Sequence, residues 1–306
     1  MSLHSKCKHM AELSTFANSK NILGESPFWH RDRQSIFWVD VEEGILHEQK
    51  LSSESPTIWE VGKKIAVILS VKGNEVLLGC QDGIGRFNLI TEEWKLEAPI
   101  QLDVETQRCN DGGFDPMGNV WIGSMDVQVK DGLASLYRIA ANGQSSKVLE
   151  NLTIPNGLVF SLDHKKMYFI DTPTRTVKVY FLDSTGKITL DKPAILVPKS
   201  MGMPDGMTID ADGMLWIALY GGAAVGRWNP SNGQLLEAIA IPALHVTSCC
   251  FASEALDELI VTSAKENMTE AQLAMYPQSG NVFKITNIGV NGVKMLSHTP
   301  STTFFQ

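Results

Sequence analysis

Four short segments set an oxygen-bearing side chain beside a glycine: Gly24-Glu25, Asn110-Asp111-Gly112, Asn156-Gly157 and Asp205-Gly206. Carboxylates and amides are the donors hard cations prefer; calcium, magnesium and manganese take oxygen ligands and accept water at the remaining positions. The set implied is Glu25, Asn156 and Asp205 on one divalent cation, with Asn110 close by. No histidine or cysteine stands at these positions, so a histidine-rich zinc hydrolase is not the pattern, although zinc can occupy an oxygen cage. Glycine at each place lets the backbone approach a bound group closely and turn sharply. The competing assignment is that these are turn residues satisfying backbone groups at strand ends. Arg108 adds a second chemistry. In an extended strand residues two apart point to one side, so Arg108 and Asn110 face together while Cys109 faces away. A guanidinium and an amide so placed can hold a polyhydroxylated or carboxylated ligand; the alternative for Arg108 is an ordinary surface position.

For residues so far apart in sequence to meet, the chain must repeat itself. One segment type, a polar turn followed by four apolar, β-branched or aromatic residues, occurs six times: Ile36-Phe37-Trp38-Val39, Val76-Leu77-Leu78-Gly79, Val120-Trp121-Ile122-Gly123, Met167-Tyr168-Phe169-Ile170, Leu215-Trp216-Ile217-Ala218 and Leu259-Ile260-Val261-Thr262. Their starts lie 40, 44, 47, 48 and 44 residues apart. Turns such as 115–119, 163–166 and 210–213 precede them, with the Asp, Asn, Gly and Pro that hairpins need. A second alternating segment follows, clearest at 84–90, 135–140, 176–182, 224–228 and 281–285. A period of about 40 to 50 residues built of four short strands is that of a propeller blade. The expectation is an all-β, six-bladed propeller of four-stranded antiparallel blades around a channel, one domain over 1–306, with 1–20 as a flexible N-terminus plus a closing strand. Thr269 to Tyr276 reads as one helical turn inserted in the last blade. The innermost strand of each blade lines the channel. Counting back ten or eleven residues from the six segments gives Glu25, Asn110, Asn156 and Asp205 in repeats one, three, four and five, and positions near Ala66 and Ser248 or Cys249 in repeats two and six.

Composition narrows the partners. With 26 basic against 34 acidic residues, a net charge of −8 and no basic run, nucleic acid and anionic membranes are poor partners. No apolar stretch exceeds six residues, and the N-terminus lacks the apolar centre of a secretory signal, so the expected location is the cytoplasm. The five cysteines, Cys7, Cys80, Cys109, Cys249 and Cys250, show no CxxC spacing and read as reduced, mostly buried thiols. Asp210-Ala211-Asp212-Gly213 resembles a calcium loop only in part; it lacks the later glutamate and reads as a hairpin turn. There is no GxSxG, GxxxxGK[ST] or HExxH motif.

Taken in order, Gly24-Glu25-Ser26-Pro27, Arg108-Cys109-Asn110-Asp111-Gly112, Pro155-Asn156-Gly157-Leu158, Pro204-Asp205-Gly206-Met207, Thr247-Ser248-Cys249-Cys250-Phe251 and 280–286 resemble the gluconolactonase, senescence-marker-protein (regucalcin) and luciferin-regenerating-enzyme family over about 23–293. The resemblance implies a six-bladed propeller with one divalent cation, calcium, zinc, manganese or magnesium, in its channel. It implies Glu25, Asn156 and Asp205 as metal ligands, Arg108 and Asn110 as substrate-binding residues, and Asp205 as the acid/base group as well. The implied reaction is hydrolysis of a sugar-acid lactone such as gluconolactone, the partner a small molecule and the protein a monomer or weak dimer. Two other readings share the fold: a phosphotriesterase or aryl esterase on the same site, and a calcium-binding regulatory protein whose metal is structural. The connection from Asp126 to Gly132 is shorter than the lid loop of the vertebrate members, which leaves Asp126 a candidate substrate contact.

Overall fold

The computed structural model describes residues 11–100 and 102–296; residues 1–10, including Cys7, lie outside the described residues. Six antiparallel sheets are arranged as a six-bladed propeller. The innermost strands are Gly24–His30, Ile65–Lys72, Gln107–Phe114, Pro155–Phe160, Met203–Ile209 and His245–Ala252, for blades 1 to 6 in that order. Blades 1, 2, 3 and 5 are simple four-stranded meanders, and in blade 4 the outermost position is shared by Ile188–Leu190 and Ile195–Leu196. Blade 6 takes its outermost strand from the other end of the chain: Glu12–Ala17 pairs antiparallel with Val282–Thr286. That pairing ties the first described residues to the last blade and closes the ring.

Each of the six apolar repeat segments is the second strand of a blade, and the reason is burial on both faces. Alternate side chains of a strand point to opposite faces, and here each face meets a different neighbouring blade. Phe37 and Val39 join the cluster shared with blade 2, while Ile36 and Trp38 join the one shared with blade 6. The same alternation sends Val120 and Ile122 toward blade 2 but Trp121 toward blade 4. Tyr168 and Ile170 face blade 5, where Leu215 and Ile217 meet them, and Trp216 and Ala218 face blade 6. Six core clusters thus fill six seams, in place of one central core. The outermost strands pack on one side only and carry mostly exposed residues, as in Thr57–Glu60 and Gln234–Ala240.

Two blades add a polar lock to this packing. Asp210 is fully buried; its carboxylate accepts hydrogen bonds from the Asp212 and Met214 N–H groups at 2.9 Å, from Trp216 Nε1 at 3.0 Å and from Arg227 Nε at 2.7 Å. The hairpin turn, the second strand and the third strand are joined through one side chain. Asp115 repeats the device in blade 3, accepting from the Met117 and Asn119 N–H groups and from Trp121 Nε1 at 3.0 Å, with Arg138 Nε 3.6 Å away. The 210–213 segment is therefore a turn, as its sequence indicated. The helical insertion lies at Glu270–Met275, capped by Thr269 with a reciprocal Gln272 contact. Cys80, Cys109, Cys249 and Cys250 are free and buried, and among the described residues no helix is long and apolar enough to cross a membrane.

Removing the Asp210 carboxylate strands an indole N–H and two turn amides together and leaves the Arg227 guanidinium only its contact with Asp212. Asp210→Ala is expected to cost about 3 kcal/mol in urea unfolding; a loss below about 1 kcal/mol would show that the lock carries little.

Candidate metal centre in the channel

Every innermost strand breaks register with its neighbour at the same level. The breaks fall between Glu25 and Phe28, Ile65 and Val67, Cys109 and Gly112, Asn156 and Leu158, Pro204 and Met207, and Val246 and Ser248. A bulge adds a residue to one strand and re-aims its side chain, which is why bulges collect beside functional sites. Glu25, Asn110, Asn156 and Asp205 all sit at these breaks. In blade 2 the position is Ala66, and in blade 6 it is Thr247, one residue before the Ser248 that counting reached, because the spacing rule ignores the break. Thr247 Oγ1 donates to the Gly24 carbonyl at 2.6 Å and so joins blades 6 and 1 beside Glu25.

A line of hydrogen bonds runs across blades 3, 4 and 5. Arg108 Nη1 donates to Asn110 Oδ1 at 2.7 Å, Asn110 Nδ2 donates to Asn156 Oδ1 at 2.9 Å, and Asn156 Nδ2 donates to Thr172 Oγ1 at 2.8 Å. Thr172 Oγ1 in turn donates to the Pro204 carbonyl, the residue before Asp205, at 2.9 Å. Arg108 and Asn110 do share a face, and Cys109 is buried on the other side in the seam between blades 2 and 3. The glycines act here by their lack of a side chain. A Cβ on Gly157 would lie 2.8 Å from the Asp205 carbonyl oxygen, and one on Gly206 would lie 2.3 Å from Ser248 Oγ. None of the glycines at 112, 157 and 206 has a positive φ, so the requirement is close approach of adjacent strands. The left-handed residue of the ring is Ser26, at φ 50°. Its N–H donates to Glu25 Oε2 at 3.0 Å, and its Oγ accepts from the Ile68 N–H at 2.8 Å.

Electrostatics single out the carboxylates. Burial pushes the Glu25 carboxyl up to about 8, with the nearby Asp111 charge adding to the effect. Asp205 is held well above the usual carboxylate range by burial and then by the charges of Glu25 and Asp111. Burial raises Asp111 to about 6, opposed by the Gly112 N–H it accepts. Among the described residues none of the three forms an ion pair with a lysine or arginine. A site of buried oxygen donors short of positive charge is chemically matched to a divalent cation. No three His, Cys, Asp or Glu side chains among the described residues are grouped to hold an ion by themselves, so a cation beside Glu25 and Asp205 would draw further ligands from other oxygens, and the Asn156 amide oxygen stands at the same register break. That oxygen keeps a lone pair beyond the one Asn110 uses.

Asp111 was not singled out in the sequence because strict alternation turns it away from Asn110; the bulge between Cys109 and Gly112 cancels that alternation. Asp126 makes no hydrogen bond to the Arg108–Asn110–Asn156 line. Its Oδ1 accepts from the Gln128 N–H at 2.8 Å and the Lys130 N–H at 3.4 Å, which shapes the short connection that follows it. Beyond the ring the channel continues as a cavity of about 310 Å³, lined by Ser26, Asp111 and Ser248 near the ring and by Leu158 and Met207 farther on, and bounded by 293–296. Its lining is mainly apolar, and the oxygen donors sit at its edge.

A family model described as the SMP-30/gluconolactonase/LRE-like region matches residues 23–265. The chain belongs to this family. A Bacillus subtilis protein provisionally named sugar lactone lactonase YvrE is 31% identical over 273 residues, 87% of this chain and 92% of the relative. A solved structure described as a luciferin-regenerating enzyme superposes with a TM-score of 0.88 at 28% identity, covering 95% of this chain and 100% of the other. One described as a calcium-binding protein, regucalcin, from Agrobacterium tumefaciens gives a TM-score of 0.87 at 28% identity, covering 93% and 96%.

The carboxylate cluster makes stability depend on pH and on cations in a definite direction. With Glu25 near 8 in the folded state against an ordinary 4.5, the folded protein binds more protons between those values, so stability falls as pH rises through that window. In a chelator, the melting temperature is expected to drop by several degrees between about pH 5.5 and 8.5. Added calcium or zinc is expected to restore most of the loss at the upper end. Glu25→Gln should flatten the drop, and a flat profile in the unaltered protein would contradict this account.

Proposed function

We propose that this protein hydrolyses sugar-acid lactones such as gluconolactone at the Glu25–Asn156–Asp205 level of its channel. The observation that carries the reading is the meeting of two buried, cation-poor carboxylates with the Arg108–Asn110 pair, linked through Asn156. The family description, which includes gluconolactonase, and the name of the Bacillus subtilis relative supply the reaction class. Glu25, Asn156 and Asp205 would hold one divalent cation, calcium, zinc, manganese or magnesium; the Agrobacterium regucalcin is described as calcium-binding. Bound there, the cation supplies Lewis acidity toward the lactone carbonyl and acidifies water.

The chain's own residues do the rest. Arg108 donates to hydroxyl or carbonyl oxygens of the sugar, its guanidinium fixed by the Asn110 bond. Asn110 is anchored by a third contact, to the Pro155 carbonyl at 2.9 Å, and holds Arg108 in place. Asp205 accepts a proton from the attacking water as the water oxygen bonds to the carbonyl carbon, then returns it to the ring oxygen as the acyl–oxygen bond breaks. The product is an open-chain hydroxy acid. A carboxylate that also binds a cation is a weaker base, so orienting the water is a large part of what Asp205 does.

Asp205→Asn keeps the shape and removes the base, and kcat toward gluconolactone is expected to fall about a thousandfold. Near-normal turnover with unaltered metal content would overturn the assignment. If the metal-loaded protein hydrolyses an aryl ester or an organophosphate faster than any five- or six-carbon lactone, the reaction class is wrong while the site stands.

A further inference from the structure

Beside the ring, at the same end of the channel, a second group of side chains has no part in the reaction described above. Tyr220 closes the second strand of blade 5, paired with Met203 two residues before Asp205. His245 opens the innermost strand of blade 6. Their rings stack at 4.0 Å with 11° between planes, and the Tyr220 hydroxyl donates to Glu266 Oε1 in a long bond of 3.5 Å. Glu266 is fixed by its own backbone, its N–H donating to the Ile22 carbonyl at 3.0 Å, three residues before Glu25. His245 is 8% exposed, and neither ring nitrogen has a hydrogen-bond partner among the described residues. Burial lowers its pKa, so the imidazole is a neutral flat support that fixes the tyrosine ring.

The half-buried Glu266 carboxylate can accept about four hydrogen bonds, and among the described residues it receives only the long one from Tyr220. It forms no ion pair among them, yet its charge is felt by Arg108, Glu25 and Asp205. Blades 3 and 6 stand opposite each other in a six-bladed ring, so Arg108 and Glu266 belong to opposite sides of the channel, and Arg108 feels the charges of Glu42 and Glu266. A ligand between them meets donors on one side and an acceptor on the other. A hydroxyl both donates and accepts, and a ring carrying several of them is the chemistry that fits both walls.

We infer that Glu266, steadied by the Tyr220–His245 stack, accepts a hydroxyl of the substrate ring and selects polyhydroxylated lactones over bare ones. This deepens the lactonase reading and rests on it. The test compares wild type, Glu266→Ala and Glu266→Gln on glucono-δ-lactone and on δ-valerolactone, which has the same ring without hydroxyls, with gluconate affinity measured by calorimetry and melting temperature as the folding control. Expected for Glu266→Ala are a roughly tenfold rise in KM for gluconolactone, kcat within about twofold, unchanged kcat/KM for δ-valerolactone, and weaker gluconate binding. Glu266→Gln, which keeps an acceptor oxygen, should recover part of the loss. An unchanged KM, or equal losses on both lactones, overturns the inference. If wild type turns over neither lactone, the lactonase reading falls; the calorimetric arm then decides alone, weakened gluconate binding in Glu266→Ala supporting the subsite and unaltered binding overturning it.

Discussion

Keeping Glu25 and Asp205 out of water within reach of each other's charge is the constraint that the rest of the structure answers. Burial raises the pKa of both, the Asp111 charge raises both further, and Glu25 adds to the rise of Asp205. Free side chains would relieve this by turning to solvent. Here the strands that carry them cannot shift independently. Thr247 pins Gly24 from blade 6, Ser26 pins Ile68 in blade 2, and Thr172 of blade 4 pins Pro204. Gly157 and Gly206 let strands of blades 4, 5 and 6 approach more closely than any side chain would allow. The result is a fixed deficit of positive charge, which the cation proposed for this site would offset without any movement of the ring.

That rigidity comes from the seams. A blade alone would expose one apolar face on each side, so each is stable only between two neighbours, and the last seam closes through the strand Glu12–Ala17. The polar locks vary with what each blade offers. Asp115 and Asp210 satisfy the indole N–H of Trp121 and Trp216, whereas Trp38 of blade 1 has no such carboxylate. Its Nε1 finds no partner among the described residues, and its ring instead stacks on His47 at 4.7 Å. Blade 1, which carries Glu25, is tied instead through the buried Glu48, whose carboxylate accepts from Arg33 Nε at 2.7 Å and Nη2 at 2.8 Å and from Ser35 Oγ at 2.7 Å.

The second strands were legible in the sequence because both their faces are buried: runs such as Met167-Tyr168-Phe169-Ile170 have no polar alternation to blur them. The outermost strands were not, since Gln234–Ala240 and Ser145–Leu152 are largely exposed and mix polar with apolar residues without a core to enforce order. At the ring, fixed spacing found Glu25, Asn110, Asn156 and Asp205 because the bulges recur at one level in every blade. It missed Asp111 and misplaced the blade 6 position for the same reason, since a bulge moves a side chain off the alternation that counting assumes. Thr172, Tyr220 and Glu266 carried no repeat signal at all. They stand at strand ends and connections, where the period ends and each blade goes its own way.

This division explains how one scaffold can hold its chemistry fixed while its recognition varies. The oxygen donors come from the first half of the innermost strands, at the register breaks, locked by neighbours on both sides. The residues around the mouth, Tyr220 and Glu266 together with the connection shaped by Asp126, come from strand ends and loops whose replacement leaves the seams untouched. The far end of the channel is bounded by 293–296, a segment tied to blades 5 and 6 through the Ala211–Asn291 and Gly292–Leu256 hydrogen bonds. With that end bounded and its lining mainly apolar, the end where Arg108, Glu266 and Tyr220 stand offers a hydroxylated ligand the denser set of polar groups. On the proposed lactonase reading, a substrate entering from that end would meet those three side chains before the carboxylates.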